Sequence, residues 1–227
     1  MITLPIQREK GHLLVGIDNR RAIIDTGSPT SMSLEPFEFI GTRHCPPSNI
    51  MGITPGKMSE LCGFRFDILI GCDILSAHTL RFRWNDGAVD VGDDLEEGPL
   101  SSEMESFMGI PVFPLEIQGR ATRALFDTGA HLSYIDPDLV EGQVPSGQRN
   151  DFYPTVGQFV APTYRVPTAL DSTAIEIDYG ILPDSLQMML GMAMSLSESS
   201  AVVGTQLLEH FDCTLSWHRQ TISWRRK

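Results

Sequence analysis

Ala22-Ile23-Ile24-Asp25-Thr26-Gly27-Ser28 and Ala124-Leu125-Phe126-Asp127-Thr128-Gly129-Ala130 are one phrase written twice, 102 residues apart. Each copy has an extended stretch and a polar turn upstream. In the first, Leu13-Leu14-Val15-Gly16-Ile17 leads into Asp18-Asn19-Arg20-Arg21; in the second, Val112-Phe113-Pro114-Leu115-Glu116-Ile117 leads into Gln118-Gly119-Arg120. Apolar, branched runs bounded by turn formers read as strands. Each half of the chain therefore opens as strand, turn, strand, Asp-Thr-Gly.

A second match follows. Ile68-Leu69-Ile70-Gly71-Cys72-Asp73-Ile74-Leu75 aligns with Ala201-Val202-Val203-Gly204-Thr205-Gln206-Leu207-Leu208 at an offset of 133, which holds to the end of each half. Phe82 then falls on Leu215, Trp84 on Trp217, Val89 on Ile222 and Val91 on Trp224. Both tails alternate apolar and polar residues around a polar turn, Asn85-Asp86-Gly87 or His218-Arg219-Gln220, the pattern of a hairpin with one buried face. The two offsets differ by 31 residues, all inserted between the landmarks of the second half. Short helices are expected only around Cys72–His78, Thr205–Phe211 and Ser185–Met194, so the fold class is mostly β with an internal pseudo-two-fold repeat. Residues 1–92 and 107–227 form the two lobes of this reading, joined by an acidic linker, 93–106, expected to be a solvated spacer. Ile2–Ile6, the edge of the linker and Thr221–Trp224 are expected to share a sheet between the lobes.

Composition narrows the partners. Lys and Arg number 17 against 29 Asp and Glu, a formal net charge of −12, with 41% apolar residues. An acidic chain lacks the basic face that nucleic-acid phosphates or an anionic membrane require. No apolar run approaches a membrane span. Charge arrives by Arg8, before a signal-peptide core could form, so a cytoplasmic location is expected. Cys45, Cys62, Cys72 and Cys213 show no C-x-x-C spacing and read as free thiols. His12, His44, His78, His131, His210 and His218 show no metal-ligand spacing and read as surface or core residues, so no metal is expected. Met188, Met189, Met192 and Met194 read as adaptable core packing rather than a cleft lining.

The paired motifs and their downstream glycines resemble those of the aspartic proteases of the pepsin and retropepsin superfamily. The resemblance spans nearly the whole chain apart from the linker and the insertion. It implies a two-lobed acid-protease fold in which each lobe is close to a retropepsin subunit in size. It also implies peptide-bond hydrolysis, with Asp25 and Asp127 catalytic. Thr26 and Thr128 are then expected to hydrogen-bond across the pseudo-two-fold axis, and Gly27 and Gly129 to allow close backbone approach. Ser28 and Ala130 complete the two loops.

The chemistry explains the residue types. Hydrolysis without metal or covalent nucleophile needs one carboxylate to activate water and one carboxyl to protonate the carbonyl oxygen. Two carboxyls about 3 Å apart share one proton and titrate as a unit. No cofactor is implied, the substrate is a polypeptide, and the chain is expected to act as a monomer, because both carboxyls are in one chain. Ser28 can donate a hydrogen bond to Asp25 where Ala130 cannot for Asp127, which assigns Asp25 the base role and a milder pH optimum than that of gastric pepsins.

A covering flap is harder to read. Asn49–Met58 can form a short hairpin with a Pro-Gly tip. The stretch from Phe152 to Val166 has two aromatic, β-prone arms around Gly157, with Tyr153, Val156, Gly157 and Phe159 as candidate substrate contacts. A flap there would sit on the second lobe, opposite to pepsins. Two other readings stand beside an endopeptidase: a peptide-binding scaffold of the same fold without turnover, and a protease limited to itself or one partner.

Overall fold

The computed structural model describes residues 1–227 and is mostly β, with few, short helices. The repeat is built into its topology. Strand Arg20–Ile24 runs parallel beside Ile68–Ile70, which pairs antiparallel with Met32–Ser33. In the second half Arg120–Phe126 runs parallel beside Ala201–Val203, which pairs antiparallel with Ser133–Ile135. Strands buried on both faces need unbroken apolar runs, which Ile68-Leu69-Ile70 and Ala201-Val202-Val203 supply. Strands His12–Ile17 and Ile110–Ile117 pair with Arg20–Ile24 and Arg120–Phe126 in the same sense.

An antiparallel run of six strands, part of a ten-stranded sheet, joins the halves. Its order is Leu100–Glu103, Thr221–Arg226, Phe211–Ser216, Thr79–Arg83, Ala88–Val91, Ile2–Glu9. At its centre Arg81 faces Thr214, its own counterpart at the offset of 133, with Leu80 opposite Leu215 and Phe82 opposite Cys213. The pseudo-two-fold axis therefore passes through this strand pair. Above it Trp224 packs on Phe113 and Phe126 at ring-centroid distances of 5.3 and 5.6 Å, and Phe82 meets Phe126 at 6.4 Å. The apolar core is thus continuous through both halves.

One charge lies buried in this sheet. Asp90 is 1% exposed and accepts hydrogen bonds from Thr3 Oγ1 at 2.7 Å, from Arg81 at 2.8 and 3.0 Å and from Arg83 at 2.9 and 3.0 Å. Burial disfavours the anion, but the bonds from Arg83, Thr3 and Arg81 outweigh it and hold the carboxyl well below the usual carboxylate range. Its contribution is present above the ordinary Asp range and survives acidification until the carboxyl itself takes a proton. Asp90→Asn is expected to cost about 2 kcal/mol at neutral pH, read as a lower urea midpoint at constant slope. An unmoved midpoint would show that the network contributes nothing net.

Three expectations are corrected. Residues 93–106 are not a solvated spacer along their length. Leu95 and Met104 are buried, Leu100–Glu103 is an edge strand, and the Gly98 N–H donates to Ser223 Oγ at 2.8 Å. Asn49–Met58 is not a hairpin: Ile50 bridges Ile53, and a helix spans Pro55–Cys62. Thr54 caps it, Pro55 opens it with preset φ, and Gly63 ends it at φ 70°. The methionines are not mainly core either. Helix Asp184–Leu196 turns Leu186 and Met194 inward, so the 3.6-residue period leaves Met188 and Met192 exposed and Met189 partly so.

Candidate active site

Each Asp-Thr-Gly loop springs from the end of a buried strand. The Asp25 N–H donates to Ile70 O at 3.0 Å and the Asp127 N–H to Val203 O at 2.9 Å. The following turn is fixed equivalently in both halves. The Cys72 N–H donates to Ser28 O at 2.8 Å, and the Thr205 N–H to Ala130 O at 2.9 Å. Gly71 and Gly204 donate to Ser31 Oγ and Ser133 Oγ, and a Cβ on either glycine would lie 2.8 or 2.7 Å from a loop carbonyl oxygen. Those glycines are therefore dictated by close backbone approach.

The two loops interlock through Thr26 and Thr128, both fully buried. Thr26 Oγ1 donates to Phe126 O at 2.7 Å and accepts from the Thr128 N–H at 3.0 Å. Thr128 Oγ1 donates to Ile24 O at 2.8 Å and accepts from the Thr26 N–H at 3.0 Å. Each hydroxyl thus satisfies one buried donor and one buried acceptor of the opposite half. Gly27 and Gly129 sit beneath the opposite carboxyls. A Cβ on Gly27 would fall 2.1 Å from the Asp127 carboxyl carbon, and one on Gly129 2.3 Å from an Asp25 oxygen.

Asp25 and Asp127 face each other in a buried, mutually coupled pair. Burial raises both acidities' midpoints above the usual carboxylate range, and Asp25 is raised further by the Asp127 charge and by a hydrogen bond to Asp127. Backbone donors separate them. Asp127 Oδ1 accepts from Gly129 and Ala130 at 2.8 and 3.1 Å; Asp25 Oδ1 accepts from Gly27 at 2.9 Å, with the Ser28 N–H contributing more weakly. The pair shares one proton and titrates as a unit, with the stronger backbone hydrogen bonding on Asp127. The hydrogen bond from which the base role of Asp25 was drawn is not made. The Ser28 hydroxyl donates to Thr30 O at 2.8 Å, not to Asp25, because the carbonyl two residues on lies within its reach.

The second-half hairpin forms. Strands Gly147–Tyr153 and Gly157–Leu170 pair from Gly147↔Thr163 to Tyr153↔Gly157. Pro154 presets the turn and Gly157 closes it at φ 89°. The four flap candidates have different surroundings. Tyr153 is partly buried and feels both Asp127 and Asp25, which with burial raise its hydroxyl's acidity midpoint. Phe159 lies 6.5 Å from the Tyr134 ring, Gly157 forms the turn, and Val156 is 44% exposed at the tip. Phe152 packs on the first half's cluster of Leu14, Cys62 and Phe64, so the hairpin reaches across to the other half. Near its tip it is tied by the Tyr134 hydroxyl, which donates to Asp151.

Between the hairpin and the first half lies a cleft of about 510 Å³ whose lining includes Lys10, His12, Cys62, His131, Arg149 and Asp151. None of these stands in a motif, and only folding brings them together. His131 and Leu132 in its lining directly follow the Asp127–Ala130 loop, which puts this cleft beside the carboxyl pair, and burial and the Asp25 charge push the Cys62 thiol up to about 12.

No protein-family model matches this chain, and no curated protein does. Among solved structures, the solution structure of the simian foamy virus (mac) protease is similar at 19% identity. The alignment covers 34% of this chain and 92% of that one, with a TM-score of 0.25. No helix of the chain is long and apolar enough to cross a membrane.

Proposed function

We propose that this chain is an aspartic endopeptidase of the pepsin and retropepsin superfamily, a monomer whose halves, 1–92 and 107–227, each contribute one carboxyl to a single site. The observation that carries this reading is the buried Asp25–Asp127 pair, one member from each half, held by reciprocal Thr26 and Thr128 hydrogen bonds. A binding scaffold gains nothing from two coupled carboxyls in a low-dielectric site, where each costs desolvation.

In the proposed mechanism a water between the carboxyls loses a proton to Asp127 as its oxygen attacks the peptide carbonyl carbon. Asp25 delivers its proton to the carbonyl oxygen, giving a neutral gem-diol. Collapse breaks the C–N bond, the amine takes a proton from Asp127, and the proton on the diol returns to Asp25. No charge builds up that needs a metal or an oxyanion hole. An extended polypeptide would lie across the pair, beneath the Tyr153–Gly157 turn.

The direct test is cleavage of a diverse peptide library from about pH 3 to pH 8 beside Asp25→Asn and Asp127→Asn. A folded wild type that cleaves nothing at any pH would remove the endopeptidase reading. A second, narrower outcome is expected from Ser28→Ala. Because that hydroxyl is spent on Thr30 O, the acidic limb of the pH–rate profile should stay in place. A limb that moves would return Ser28 to the dyad's hydrogen-bond shell.

A further inference from the structure

We propose that the cleft beside the dyad is a subsite for a carboxylate side chain of the substrate, with Lys10 and Arg149 as its charged walls and His12 and His131 as its floor. This rests on the endopeptidase reading and names the peptides it would favour: those with Glu or Asp close to the scissile bond.

The charge balance of the cleft is opposite to that of the molecule. The chain carries −12 overall, yet this cleft gathers Lys10 and Arg149 against a single carboxyl, Asp151. Asp151 is not a free competitor. The Tyr134 hydroxyl donates to its Oδ2, and the Phe152 N–H donates to its Oδ1 at 2.8 Å. Arg149 is half exposed, and its only carboxylate neighbour is Asp178 at 3.6 Å, so its guanidinium keeps donors for a ligand. Lys10 spends one of its three protons on Cys62 O at 3.0 Å.

The floor holds an unspent polar atom. His12 is 6% exposed, and its Nδ1 is buried without a partner. The Gly129 backbone, in the second catalytic loop, favours the charged form of its ring. His131 is oriented by Thr205. The Thr205 hydroxyl gives its proton to Gly11 O at 2.6 Å, so the 3.2 Å contact from His131 Nδ1 must be a donation from the ring. That leaves His131 Nε2 as its basic nitrogen. The fit is tight, since a Cβ on Gly11 would lie 2.2 Å from the His131 ring.

An orphaned buried nitrogen costs free energy until something satisfies it. A carboxylate does so once the imidazole is protonated. Burial disfavours the charged form of both rings. Burial, His131 and Lys10 lower His12 to about 4, although the Gly129 backbone opposes this. Burial and Arg149 lower His131 against the raising effect of Glu209 and Asp151. An entering carboxylate supplies the missing negative charge, so binding takes up a proton. Beside Lys10, Arg149 and Asp151, the other titratable group lining the cleft is Cys62, whose thiol burial holds neutral. Preference for the carboxylate should therefore grow as pH falls from 7 towards 5 and fade once the substrate carboxyl is itself protonated, near the ordinary value of about 4.3 for Glu.

The experiment compares peptides identical except for Glu or Gln at each position flanking the cleaved bond. kcat/KM is measured for wild type and Arg149→Gln at pH 5 and pH 7. Binding of the same peptides to the Asp127→Asn protein is measured in parallel by calorimetry in two buffers of different ionisation enthalpy. At one position Glu should be favoured about tenfold at pH 5, as expected of a hydrogen-bonded charge pair. That ratio should shrink at pH 7 and several-fold in Arg149→Gln, and Glu-peptide binding should show proton uptake. Equal kcat/KM and equal binding for Glu and Gln at every position overturn the subsite and leave the dyad reading standing. Tighter, proton-linked binding of Glu peptides with no cleavage by wild type keeps the subsite and sinks the endopeptidase. Neither binding nor cleavage sinks both.

Discussion

Asp127→Asn is expected to abolish peptide cleavage, lowering kcat by about 10³-fold or more, and Asp25→Asn to do the same. The amide cannot take the water's proton in one case or supply the carbonyl's proton in the other. Loss of activity alone does not separate a catalytic role from a broken fold, so the same proteins should be melted. Both carboxyls hold their protons to higher pH than they would in the unfolded chain. The folded state therefore binds more protons through the window above the ordinary Asp value. Stability falls as pH rises through that window and stays low above it. Asn escapes that penalty. Asp25→Asn should thus melt higher than wild type at pH 7 and level with it near pH 3. The combination of lost turnover and gained stability is the signature of a strained functional pair. A variant that melts lower at pH 7 would mean that the carboxyl stabilises the fold, and the dyad reading would lose its physical basis.

The repeat made the site legible. Asp25 and Asp127 stand at equivalent points of two matched segments, and a pseudo-two-fold arrangement brings such points together on the axis. The register confirms this down to Arg81 opposite Thr214. The parallel strand neighbours could be read from Ile68–Ile70 and Ala201–Val203 because burial on both faces demands an unbroken apolar run. The helix Pro55–Cys62 was also present in the sequence, as Thr54, Pro55 and Gly63 in capping positions, but its mixed polarity disguised it. The Ser28 assignment failed for a different reason. A hydroxyl chooses among acceptors within about 3 Å, and the backbone carbonyl of Thr30 is not visible as a competitor in a string of residue types. The cleft was illegible in the same way. His12, Cys62, His131 and Arg149 come from four separate segments, and no spacing rule links them.

Thr26→Val should cost about 2–6 kcal/mol, because the side chain has two buried partners and no water to replace it. Valine keeps the shape and the branching at Cβ. What disappears is the donor to Phe126 O and the acceptor for the Thr128 N–H, and each orphaned buried group costs about 1–3 kcal/mol. Thr128→Val orphans a different pair, Ile24 O and the Thr26 N–H, and because both hydroxyls belong to one network the double variant should depart from the sum by their coupling energy. Thr26→Ser separates hydrogen bonding from packing. It retains both bonds and should cost about 1 kcal/mol, the worth of a buried methyl. The same variants probe function, since these bonds tie the Asp25 loop to the Asp127 loop across the axis. Small displacements of reacting groups cost about 10²-fold in rate, so Thr26→Val should lower kcat far more than it changes KM, and Thr26→Ser should restore kcat. If Thr26→Val destabilises the chain while kcat stays at the wild-type value, the threonines hold the halves together without positioning the carboxyls. The geometry of the pair would then have to come from Gly71 and Gly204, whose contacts fix the same loops from within each half.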